Sequence, residues 1–185
     1  QIAVGASRMA LEQAGLETSQ MDESDRQRIG VIVGNGGGAI DEDQRSMETI
    51  YSKGPGRVDP FYISKRLGNM AGANIAIEFG LLGYNGTLVT ACAAGTQALG
   101  EAFEIIKRGS CDVMLAGGVE AGISQLGLAG FSAMKAVSVG FNDDPTKGSR
   151  PFDKHRTGFV PAEGAAILVL ESLAHARQRG AEPLA

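Results

Sequence analysis

Cysteine and histidine are scarce in this sequence, with two of each among 185 residues. Cys92 and Cys111 stand too far apart for a CxxC pair and are too few for a zinc quartet, so no structural metal is expected. A chain of this length does not need a disulfide to fold, and reduced thiols are the expectation. Seventeen basic residues against twenty-one acidic ones leave a net charge of -4, with no Lys/Arg run to follow a phosphate backbone. No nucleic-acid partner is therefore expected. No stretch reaches the roughly 20 apolar residues that cross a bilayer, and the N-terminus lacks the charged start, apolar segment and small-residue cleavage site of a secretory leader. The expectation is no membrane association and a cytoplasmic location. What is abundant is apolar and small: 43% hydrophobic residues, 21% charged ones and 27 glycines describe a globular chain.

The chain opens inside an amphipathic stretch, QIAVGASRMALEQAGL, and stops directly after a helical pattern, which reads as a portion of a longer protein. Apolar spacing predicts a helix over residues 2–15 ending at Gly15. RIGVIVGNGGGA (28–39) then reads as a continuous apolar strand running into glycines, the pattern of a parallel strand buried on both faces. Helices are expected at 40–52, 61–80, 93–108, 122–135 and 173–180, and further strands at 87–91, 112–120 and 165–172. KGPGRVDP (53–60) and residues 140–157 read as loops. Alternating strands and helices predict a largely parallel sheet covered on both faces, with the last strand as an antiparallel edge.

LVTACAAGT (88–96) puts Cys92 where a strand ends and a helix begins, the place where reactive groups collect in open α/β sheets. A helix N-terminus favours a thiolate. The small neighbours Ala91, Ala93, Ala94 and Gly95 allow a sharp turn and a close substrate carbonyl, with the Cys92 N–H as an oxyanion donor. A buried thiol filling the core fits the same residues, and spacing alone leaves both readings open. Cys111, between Ser110 and Asp112 at a strand entry, reads as structural. A thioester-forming thiolate usually works with histidines. His155 lies in a charged loop and His175 on the last helix, and neither placement brings it to Cys92.

GNGGGA (34–39) formally fits the dinucleotide fingerprint, which would make the chain a nucleotide-dependent oxidoreductase. Residues 54–60 are loop, however, where that fingerprint expects a strand ending in an acidic residue. Glycines that let a backbone pass close to a substrate or a neighbour are the preferred reading. Arg150, Asp153, Arg156 and Glu163 suggest an ion-pair network fastening their loop, or a carboxylate pair for a cation. Lys53, Arg57, Lys65 and Arg66 form a basic cluster, read as a solvated face or as a surface for an acidic partner.

TLVTACAAGTQALGEAFEIIKRGSCDVMLAGGVEA, GFSAM and SRPFDKHRTGFVPAEGAAILVLE, in that order, strongly resemble the β-ketoacyl-acyl carrier protein synthases, nearest to the synthase II type of the thiolase-like condensing enzymes. GNGGGA and PFYISKRLGNMAGANIAIEFG fall where that family has its equivalents. The resemblance covers essentially the whole chain and the N-terminal half, plus a short extension, of the family's length. It implies a thiolase-like α-β-α-β-α layering, usually in a homodimer, with residues 1–185 as part of one condensing domain. It also implies decarboxylative Claisen condensation of an acyl thioester with malonyl-acyl carrier protein, without a cofactor. Carried over by position, Cys92 matches the acyl-accepting nucleophile and its N–H one oxyanion donor, while Gly37 falls at a residue bordering the acyl pocket. The family's two catalytic histidines, a lysine and a glycine-rich loop with a gating phenylalanine belong to its C-terminal half and match nothing in this chain. Pro161-Ala162 precede Glu163 where the family usually has glycine before the acidic residue. A catalytically incompetent structural or dimerisation half is the alternative reading.

Overall fold

The computed structural model describes residues 1–185. In chain order it contains α1 (Ile2–Ala14), α2 (Glu23–Arg26), β1 (Ile29–Gly34), α3 (Ile40–Lys53), α4 (Tyr62–Arg66), α5 (Met70–Phe79), β2 (Asn85–Leu88), α6 (Ala94–Lys107), β3 (Val113–Glu120), α7 (Gln125–Ala133), β4 (Gly164–Glu171) and α8 (Leu173–Gln178). Two compact units divide these elements. One comprises residues 1–37, 67–120 and 164–185, and the other residues 38–66 and 121–163.

The first unit holds the sheet, in the order β2-β1-β3-β4. β1 runs parallel to both β2 and β3, and β4 closes the edge antiparallel to β3, as its position in the sequence suggests. All six residues of β1 are buried, which explains its unbroken apolar run. Successive side chains alternate between two cores. Val31, Val33, Val113, Leu115 and Ile167 pack with Ala3 and Leu11 of α1 and Ile75 of α5. Ile32, Met114 and Ala116 pack on the other face with Ala98, Ala102 and Ile105 of α6. Each Val, Leu, Ile or Met side chain among these contributes about 1.5–3 kcal/mol by burial. The result is a three-layer α/β unit with helices on both faces of the sheet. Gly15 ends α1 in the left-handed conformation, at φ 65°, where only glycine escapes a Cβ penalty.

Two expected boundaries move. The helix expected over 61–80 is two helices, α4 and α5, parted at Leu67–Asn69. There the Asn35 side-chain amide donates to the Gly68 carbonyl at 2.8 Å, a partner that a local reading cannot supply. The strand expected at 87–91 is β2 at 85–88, because the chain leaves the sheet at Val89 to form the turn that leads into α6.

The second unit contains α3, α4 and α7. Asp41, Glu42 and Asp43 in the first turn of α3 and Lys53 in its last complement the helix dipole. The Tyr62 hydroxyl and the Arg66 guanidinium both donate to Asp43 Oδ1, at 2.7 and 3.2 Å, tying α4 to α3. Leu126 N donates to the Gln44 side chain at 3.1 Å, and Phe131 of α7 meets Phe159 edge to face with ring centres 5.1 Å apart. No helix in the molecule is long and apolar enough to cross a membrane.

Candidate active site

The two cysteines lie in opposite surroundings. Cys111, just ahead of β3, is 1% exposed and its Sγ accepts from Tyr84 N at 3.5 Å, so the structural reading of it holds. Cys92 is exposed. It sits in a single 3-10 turn, Ala91–Ala93, between the end of β2 and the first residue of α6. Its neighbours' amides are spent, Ala93 N on Thr90 O at 3.2 Å and Ala94 N on Ala91 O, while the Cys92 N–H donates to no protein acceptor. Ala93, at the head of α6, offers no side-chain cap, and the 3-10 turn supplies backbone carbonyls to the amides that open the helix. Ala91 has φ 52°, a left-handed conformation that costs a residue with a Cβ about 1–2 kcal/mol. In a nucleophile elbow the nucleophile itself takes the strained position, whereas here the strain falls on the residue before the thiol.

Glycines explain how the turn is seated. A Cβ on Gly34, the last residue of β1, would lie 2.2 Å from the Ala94 carbonyl carbon and oxygen. One on Gly95 would lie 3.2 Å from the Gly118 Cα. The first turn of α6 therefore rests directly on the backbones of β1 and β3, main chain on main chain. Gly117-Gly118 inside DVMLAGGVE carries that signal in the sequence, since glycine within a strand marks close backbone approach.

GNGGGA has its own place in this arrangement. Gly36 N donates to the Glu120 carboxylate at 2.7 Å, and a Cβ on Gly36 would stand 3.6 Å from the Ala91 Cα. A carboxylate thus occupies an amide that a dinucleotide phosphate would need, and the oxidoreductase reading fails on this geometry. Of these glycines Gly34 is the one in close main-chain approach, against Ala94. Gly37 follows in the same bend, exposed. Glu120, at the C-terminal end of β3, is a residue that local reading of the sequence passes over, because its partner is 84 positions away.

The remaining candidates have partners of their own. His175 contacts Glu171, which pairs in register with Val113 at the opposite end of the sheet from Gly118. His155, in the second unit, is exposed, and its amide donates to Asp153 Oδ1 at 2.7 Å. The expected network of Arg150, Asp153, Arg156 and Glu163 does not form. Arg150 donates to the Lys147 carbonyl and stacks on Phe141, Arg156 donates to the Asp153 carbonyl, and Glu163 accepts from Ile123 N. Backbone partners close at hand satisfy these groups without desolvating ion pairs. In the basic cluster, Lys65 is paired with Asp59 and Arg66 with Asp43, which leaves Lys53 and Arg57 as the cations outside an ion pair.

A family model described as the N-terminal domain of beta-ketoacyl synthase matches residues 1–176. The 3-oxoacyl-[acyl-carrier-protein] synthase 2 of Rhizobium meliloti (strain 1021) is 46% identical over 182 residues, covering 97% of this chain and 42% of that protein. The protein of the same description from Staphylococcus aureus is 44% identical over 181 residues, covering 98% and 44%. Among solved structures, a beta-ketoacyl synthase from Burkholderia phymatum STM815 superimposes with a TM-score of 0.82 at 36% identity, over 97% of this chain and 43% of that one. A type II PKS ketosynthase, in complex with its acyl-carrier protein and bound to a hexaketide, gives 0.83 at 34% identity, over 98% and 45%. This chain spans about two fifths of the length of these relatives.

Proposed function

Because the chain belongs to the beta-ketoacyl synthase family, of which it carries the N-terminal domain, we propose that Cys92 is the acyl acceptor of a condensing enzyme that elongates a fatty acid or polyketide chain. The observation that carries this reading is an exposed thiol on a strained turn with its own amide unspent, just ahead of α6. The Cys92 sulfur attacks the carbonyl of an acyl thioester. The carbonyl oxygen becomes an oxyanion facing the Cys92 N–H, the carbon–sulfur bond to the carrier breaks, and the carrier thiol leaves with the proton that Cys92 gave up. In the second half-reaction malonyl thioester loses carbon dioxide, its α-carbon attacks the acyl-enzyme, and the Cys92 thiolate departs, leaving a 3-oxoacyl thioester. The decarboxylating groups are assigned to the family's C-terminal half.

Gly37 is assigned to the border of the acyl space, where its lack of a side chain leaves room for a long or bulky chain. A substrate profile peaking at short acyl groups would count against that assignment. The partner is an acyl carrier protein, an acidic molecule in this reading, met by Lys53 and Arg57. A homodimer is proposed across the outer edge of β2, directly after which Val89 is exposed. Sedimentation of a Val89→Lys variant as a dimer identical to the unsubstituted protein would argue against that edge.

The test of the central assignment is intact-protein mass spectrometry of the full-length enzyme after incubation with a long-chain acyl thioester. An adduct of the acyl mass is expected on the unsubstituted protein and none on Cys92→Ala. An adduct that survives the substitution would remove Cys92 from this role.

A further inference from the structure

Gly36, Gly37 and Gly38 are consecutive, and a run of three glycines has more conformational freedom to lose on ordering than any other tripeptide. Little holds this bend. On the strand side Asn35 is tied twice, its amide to Leu88 O at 2.9 Å and its side chain to Gly68 O at 2.8 Å. The next tie is the bond from Gly36 N to Glu120 Oε2 at 2.7 Å, the last one before Gly37. It is charge-assisted, hence stronger than a bond between neutral groups. Its acceptor is anchored, since Glu120 pairs with Gly164 at the end of the β3–β4 ladder. The bend it fixes lies against Ala91, the residue that precedes Cys92. One carboxylate therefore joins the glycine bend, where it lies against Ala91, to the end of β3.

We propose that Glu120 is a positioning residue that sets acyl-chain selectivity, by holding the Gly36–Gly37 bend against the turn that carries Cys92. The inference rests on the reading of Cys92 as acyl acceptor and of Gly37 as a wall of the acyl space. Glu120 touches no reacting atom in this scheme. It acts through the bend, so its loss changes which chains are accepted more than how fast a small one reacts. Glutamine keeps a carbonyl oxygen in the same place and retains much of the function, whereas alanine releases the bend. Gly36→Ala disturbs the same contact from the other side, because its Cβ would lie 2.8 Å from Glu120 Oε2, the mobile end of a side chain that is able to swing away.

The experiment measures the rate of Cys92 acylation in the full-length enzyme with acetyl, octanoyl and tetradecanoyl thioesters of N-acetylcysteamine, read by intact mass, for the unsubstituted protein, Glu120→Gln, Glu120→Ala and Gly36→Ala. The expected result is a tetradecanoyl-to-acetyl rate ratio altered about tenfold in Glu120→Ala, altered in the same direction in Gly36→Ala, and within about twofold of the unsubstituted value in Glu120→Gln. A ratio unchanged in both Glu120→Ala and Gly36→Ala would overturn the proposal, as would rates that fall equally for all three chains. Should Glu120→Ala not fold, Gly36→Ala alone decides between these outcomes. Absence of any adduct on the unsubstituted protein would instead remove the acyl-acceptor reading of Cys92 itself.

Discussion

The two ends of the sheet are built from different materials, and each carries one cysteine. At the end where β1, β2 and β3 finish, the joints are made by Gly34, Gly95, Gly118 and Gly36, and the exposed Cys92 stands among them. At the opposite end the joints are ionic. Arg28 Nε donates to Asp112 at 2.9 Å, and Arg179 grips both oxygens of Glu171 at 2.7 Å while its third nitrogen donates to Ala14 O at 2.8 Å. Cys111 is sealed beside that clamp. Ion pairs between side chains fasten the end where no chemistry is assigned, and close main-chain packing, with the Glu120 carboxylate and the Asn35 amide on backbone groups, fastens the end where it is. Small residues let main chain pack on main chain there, and the Cys92 amide supplies polarity without bulk.

The largest expected effect concerns the two thiols. Iodoacetamide is expected to alkylate Cys92 on the order of a thousandfold faster than Cys111 in the native protein, since Cys111 reacts only when the core opens. Equal rates in peptide mapping would break the comparison at its root. Next in size is Gly34→Ala, whose Cβ would meet rigid backbone rather than a side chain. A loss of about 3 kcal/mol or more in urea unfolding is expected. Gly100→Ala, a helix position with open space around it, is expected to be neutral or mildly stabilising.

The smallest effect belongs to the ionic end and depends on pH. Burial pushes the Glu171 carboxyl up, but Arg179 and His175 outweigh it and hold the group below its ordinary value, and Arg28 does the same for Asp112 against a smaller burial cost. A carboxyl that titrates lower in the folded state contributes stability fully above its unfolded value, and the contribution is lost as pH falls through the folded one. Thermal midpoints are therefore expected to fall as pH drops below about 4. Arg179→Leu should lower the midpoint near neutral pH, by leaving the partly buried Glu171 with His175 as its remaining side-chain partner, and should flatten the acid dependence. An acid profile unaltered by that substitution would show that the clamp contributes nothing to the fold.

Periodicity and composition were sufficient for much of this molecule. Gly15 marked the end of α1, the unbroken apolar run marked β1 as buried on both faces, and the small residues around Cys92 marked a turn. These are local properties, dictated by a side chain's own hydrophobicity or a backbone's own freedom. The sequence by itself determined the alternation of elements, the family motifs and the position of the candidate nucleophile along the chain. Tertiary structure alone decided the break between α4 and α5, the early end of β2, the partners of the charged loop and the bond from Glu120 to Gly36. Each of these depends on groups far apart in the chain meeting at one point, and hydrogen-bond geometry across such separations follows from how the sheet and helices pack, not from any local pattern of residues.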